Sequence, residues 1–179
     1  RVGGMMAAMK NMEPSLAELR VSIELDPSNV TARSEEIFFL GFVPKMLGGK
    51  PDMARQRIEE LASFDEPTAL SLEATLVGHL EDAAVGCEHG AAAVQKYPEH
   101  TGLALTHGIL LEKLATGTEQ PEESMSLCIR ADAEFLRAMG AEKNGTYQRA
   151  LYRRAQLRID HGFDLDTAQG LLDDYLTDL

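Results

Sequence analysis

Tryptophan is absent from the 179 residues, aromatic residues make up only 6%, and cysteine occurs twice, at Cys87 and Cys128. Two cysteines are too few for a disulfide framework, and they read as small buried apolar residues rather than as a bridge. No long alternating run of β-branched residues occurs, which removes the main signature of strands. Charge interrupts every apolar stretch well before the ~18 residues that a membrane helix needs, so no membrane span is expected. Basic residues are scarce, 17 Lys and Arg against 29 Asp and Glu, for a net charge of −12. That surplus repels a phosphate backbone, and the expectation is no nucleic-acid partner. No leader segment is visible and Arg1 stands first in place of Met, so the compartment, cytoplasmic or periplasmic, stays open.

What is present favours helices. Alanine, leucine and glutamate dominate. In residues 16–29, LAELRVSIELDPSN, Leu16, Leu19 and Ile23 follow a helical spacing that stops at Asp26-Pro27. Helix-then-proline endings return in AAAVQKYP, closing at Pro98, and in LASFDEP, closing at Pro67. The intervals, 40 residues from Pro27 to Pro67 and 31 from Pro67 to Pro98, are those of stacked helix pairs.

Within the second helix of each pair a small-bulky-small series recurs. Ser15, Leu19 and Ser22 lead to Pro27 and the string ELDPSN. Ala54, Ile58 and Leu61 follow, then Gly86, Gly90, Ala93 and Pro98, then Ala131, Phe135 and Ala138, and finally Ala168, Leu172 and Tyr175. On these residues the chain resembles the tetratricopeptide-repeat family, whose unit is two antiparallel helices closed by a proline. Ala74 and Gly108 fall where that family puts the small residue of its first helix, and Ala155 takes the part in the last unit. In the second unit the position falls on Ile37 or, with the helix shifted, on Gly41. The physical demand is that closely packed helices need Ala or Gly where backbones approach and a bulky residue one turn away.

The resemblance implies an all-α fold, a right-handed superhelix of antiparallel helix pairs in about four and a half units, an α-solenoid. It forms a single domain over residues 1–179, with units near 1–29, 30–66, 67–100, 101–145 and 146–179. The second unit is about five residues too long and the fourth about eleven, which predicts two enlarged corners. GTEQPEES, residues 117–124, reads as a polar loop ending in a helix start at Pro121. Residues 1–12 supply only the tail of a first helix, and the last helix leaves an apolar side uncovered. The chain therefore reads as a fragment of a longer one, or as one whose terminal helices meet in a homo-oligomer.

Catalytic motifs fare poorly. Gly48-Gly49-Lys50 suggests a phosphate loop, but that motif requires glycine where Pro44 stands and Ser or Thr where Pro51 stands. The glycines instead read as ending one helix, with Pro51-Asp52 opening the next. His79, His89, His100, His107 and His161 are scattered with no metal-ligand spacing. Cys87 and His89 point about 200° apart on a helix. No metal, cofactor or catalytic residue is expected, and the chain does not read as an enzyme.

Charge patterning is more informative. No Lys or Arg occurs between Ile58 and Gln95, whereas Arg149, Arg153, Arg154 and Arg158 crowd one helix of the last unit. These arginines either pair with Asp160, Asp164, Asp166 and acids of adjoining helices or grip a partner. The family resemblance implies peptide binding on the concave face of the first helices, where Phe38, Ser71, Thr75, Leu105, Ile109, Arg149, Tyr152, Arg153 and Gln156 are candidates. The expected function is a non-catalytic protein or peptide interaction module. The alternative is a small-ligand-binding protein, because Pro44 and Leu47-Gly48-Gly49 resemble bacterial tetratricopeptide-like proteins that accompany TRAP-type solute transporters. An enzyme with an unrecognised site is the third reading.

Overall fold

The computed structural model describes residues 2–140 and 142–177, with side chains described from Pro14 onward. Among the described residues there are nine α-helices and no strand: α1 Val2–Leu25, α2 Val30–Phe42, α3 Pro51–Ala62, α4 Glu66–Leu80, α5 Ala83–Lys96, α6 Thr101–Gly117, α7 Pro121–Met139, α8 Gly145–Asp160 and α9 Leu165–Thr177. They form two compact units, Arg1–Leu76 and Val77–Leu179.

In the first unit, α1 packs on α2 and α2 on α3. The Asn29 side chain accepts a hydrogen bond from the Ala32 amide at 2.9 Å and starts α2; Asp65 does the same for Thr68 at 3.0 Å and starts α4. Ile37, Leu40, Ala54, Ile58, Leu61, Ala69 and Leu76 make a continuous core. Gly41 resolves the register of α2. A Cβ there would lie 2.6 Å from Leu76 Cδ1 and 3.4 Å from Ala54 Cβ, so Gly41 marks the close approach and Ile37 is a filler of the core. One charged group is sealed in with them. Glu36, 3% exposed, meets Arg20 of α1 at 3.2 Å and Arg57 of α3 at 3.5 Å, tying three helices through one carboxylate.

Two expectations change here. Residues 1–12 are not the tail of a separate helix, because α1 runs without interruption from Val2 to Leu25 with Pro14 inside it. Gly48-Gly49 also does not end α2, which stops at Phe42. Val43 precedes Pro44 and takes the extended conformation that a following proline imposes, φ −78° and ψ 133°. The chain then makes a short 3₁₀ turn, Lys45–Leu47, that Gly48 closes at φ 100°. Gly49 is required for a different reason: a Cβ there would sit 1.7 Å from the Val43 carbonyl oxygen. Pro51 then occupies the first turn of α3.

In the second unit, α5 packs on α6, α6 on α7, α7 on α8 and α8 on α9. Asp82, His100 and Asn144 cap α5, α6 and α8 through their side chains. Gly108 of α6 faces Phe135 of α7 so closely that a Cβ would lie 2.6 Å from the ring, and Phe135 is wholly buried. The surplus length of this helix pair is not an enlarged loop. It lengthens α6 to 17 residues and α7 to 19, leaving a corner of only residues 118–120. Ser124 donates back to the Ala115 carbonyl at 3.0 Å and holds that corner shut.

Candidate functional site

Helix α8 carries the arginine cluster, and its two sides differ in chemistry. Ala150, Leu151, Ala155 and Leu157 are buried and fix the helix against α7 and α9. On the α7 side, Asp132 accepts from Arg154 at 2.9 and 3.2 Å and from Arg158 at 2.8 and 2.7 Å. Arg158 also pairs with Asp164 and lies over the Phe163 ring at 5.3 Å. The hydrogen bond from Arg158 to Asp132 is the largest influence on that guanidinium and raises its pKa further, so the charge is permanent. Arg154 and Arg158 are 14% and 8% exposed, which removes them from any encounter with a partner.

The other side is open. Arg149 is exposed and forms no ion pair among the described residues, and Tyr152 is exposed while its ring leans on Tyr175 of α9 at 5.5 Å. Arg153 reaches across to Glu112 of α6 at 3.4 Å and keeps 40% of its side chain in solvent. Gln156 is half-buried on the same stripe, one turn beyond Tyr152 and Arg153. Ile109 of α6 is partly exposed. Leu105 is only 5% exposed, so it belongs to the core beneath this face and not to its surface; its position on α6 turns it inward.

Phe38, on α2, and Ser71 and Thr75, on α4, belong to the first unit. Phe38 is exposed and stacks on Phe42 with ring centroids 4.6 Å apart; Ser71 and Thr75 are partly exposed neighbours on α4, joined by the Thr75 hydroxyl donating to the Ser71 carbonyl at 2.8 Å.

A second titratable cluster was not anticipated. His107 of α6 is 7% exposed, and its Nδ1 lies 3.3 Å from Glu134 of α7. Glu134 also accepts from Arg137 at 3.1 Å, and Arg137 donates to the Pro98 carbonyl at 2.8 Å. Burial alone would raise the Glu134 pKa, but the adjacent His107 imidazole, then Arg137, outweigh it and hold the carboxyl below its ordinary value. Nothing in the local pattern around His107 signals this, since Glu134 lies 27 positions away on the next helix.

Cys87 and Cys128 are both buried and unbridged, and His89 beside Cys87 is exposed. Burial is the main influence raising both thiol pKa values, which makes them poor nucleophiles. Among the described residues no group of three His, Cys, Asp or Glu could hold a metal ion, and no helix is long and apolar enough to cross a membrane.

No family model matches the chain, and no curated protein matches it. A solved structure does: human IFIT1, a dimer with PPP-AAAA, with a TM-score of 0.66 and 19% sequence identity over 90% of this chain and 35% of that one. This chain thus spans about a third of the length of the protein it matches. The likeness is one of fold, and together with the helices above it makes the chain an all-α helical repeat of the tetratricopeptide-like solenoid type. It also corrects one expectation drawn from the sequence. A net charge of −12 does not exclude nucleic acid for this fold, because a chain of the same fold is solved with PPP-AAAA. Net charge sums over the whole surface, whereas a phosphate is gripped by the few residues beside it.

Proposed function

We propose that the chain is a non-catalytic binding module that engages a peptide segment of a protein partner. Arg149, Tyr152, Arg153 and Gln156 of α8, with Ile109 of α6, make the contacts in the second unit; Phe38, Ser71 and Thr75 serve the first. The observation that carries this reading is the division of labour on α8. Two arginines are locked to Asp132, while Arg149 forms no ion pair among the described residues and Arg153 only a long, half-exposed one. An exposed tyrosine between them adds rigid apolar contact area at small entropic cost. We also propose the five-unit division near residues 29, 66, 100 and 145.

Catalysis has less support. The His–carboxylate pair of His107 and Glu134 lies between α6 and α7 with the imidazole only 7% exposed. The Leu-Gly-Gly corner gives no support of its own to a transporter-associated ligand binder, because backbone geometry accounts for both glycines.

The test is fluorescence anisotropy with a labelled Asp-rich peptide, using the wild type and Arg149→Glu/Arg153→Glu. Binding by the wild type that weakens with salt and is lost in the double variant is the expected result. Equal binding by both removes the α8 face. A 5′-triphosphorylated oligoadenylate runs as a parallel arm, and binding of it alone would overturn the peptide assignment.

A further inference from the structure

Glu112 stands where a partner's acidic group would have to bind. Its carboxylate is held on α6, 16% exposed, with Oε2 3.4 Å from Arg153 Nη1. We propose that Glu112 is a built-in competitor for Arg153, an ionic gate that an acidic peptide must displace to reach the open face of α8. The inference rests on the peptide-binding reading given above and adds the residue that regulates it.

Three features support this role. The contact is longer than any that Asp132 makes to Arg154 or Arg158, and Arg153 is half in solvent, so the pair is weak enough to exchange. Glu112 and Arg153 sit on different helices, 41 positions apart, so the contact is not an accident of one helix's spacing. The surroundings also disfavour the charged carboxylate. Burial is the largest influence and pushes the Glu112 carboxyl above its ordinary value; Arg153 pulls it down, Asp160 raises it and His161 lowers it.

Charged and titratable groups reach Glu112 from neighbouring helices. From α8 and the turn after it come Arg153, Asp160 and His161. From α7 comes the buried Cys128 thiol, which feels the Glu112 charge. On α6 itself, Lys113 is engaged elsewhere, donating to the Gly78 carbonyl at 2.7 Å. On α5, Cys87 responds to Lys113 and Arg130 instead. Neutralising Glu112, by protonation or by substitution, removes the carboxylate that Arg153 pairs with and hands the guanidinium to the partner.

The experiment is a double-mutant cycle on the affinity of the labelled Asp-rich peptide, with wild type, Glu112→Gln, Arg153→Gln and the double variant. Glu112→Gln is expected to bind about threefold tighter than wild type at neutral pH, and the gain should vanish in the Arg153→Gln background. Tightening as pH falls should be larger in wild type than in Glu112→Gln. Independently of any ligand, the Arg153 side-chain NH signal in NMR should shift between wild type and Glu112→Gln. No gain, or an equal gain without Arg153, overturns the gate while leaving the binding face intact if Arg149→Glu still weakens binding. Failure of every variant to bind the peptide overturns the binding face and the gate with it.

Discussion

The α2–α3 and α6–α7 pairs are both longer than a standard repeat, and they absorb the surplus in opposite ways. The first makes a corner of residues 43–50 whose path is dictated by backbone: an extended Val43 before Pro44, a left-handed Gly48, and a Gly49 pressed against the Val43 carbonyl. The second extends both helices and keeps a three-residue corner, relying on side chains such as Phe135 seated on Gly108 and Ser124 on Ala115. An insertion in a helical repeat therefore need not be a loop. It becomes one only where the inserted residues cannot continue a helix.

The largest effect should come from breaking the side-chain solution. Phe135→Ala empties a site at which the native ring is wholly buried, and urea unfolding should show a loss of about 3–5 kcal/mol, with faster amide exchange in α6 and α7. A loss below ~1 kcal/mol would mean that Gly108 and Phe135 are not the seam of that pair. Next comes the backbone solution. Gly49→Ala forces the corner open and should cost about 3 kcal/mol, whereas Gly48→Ala, strained by its positive φ, should cost about 1–2 kcal/mol. The reverse order would sink the account of the corner. Alanine at Glu119, by contrast, should change stability by no more than about 0.5 kcal/mol, since it lies exposed in the short corner.

A modest, pH-dependent effect is expected at Glu134, which links α7 to α6 through His107. Its pKa is lowered in the folded chain, so its contribution is fully present above the unfolded-state value and is lost as pH falls through the folded one. The melting temperature of the wild type should therefore fall across that acidic window more steeply than that of Glu134→Gln. Parallel curves would show that the carboxylate contributes nothing.

Much of this architecture was legible because the repeat writes its packing into local spacing. Ala54, Ile58 and Leu61, like Ala131, Phe135 and Ala138, are all buried, and Pro51 and Pro121 each open a helix. Gly108 was legible for the same reason. The choice between Ile37 and Gly41 was not, because it depends on Leu76, which lies on a different helix. The site was half legible. An arginine-rich helix can be read directly, but which arginines are spent depends on Asp132 and Glu112, 22 and 41 positions from their partners. Leu105 was misjudged by helix register, where one residue turns a side chain by about 100°.

The sequence by itself determined the helical character, the proline helix starts and the periodic small residues, since those follow from spacings within one or two turns. The tertiary structure decided which charges are locked and which are open, which glycine marks the close approach, and that the surplus of the α6–α7 pair is helix. Each of those outcomes is an energy of contact between residues distant in the chain, and no local pattern contains it.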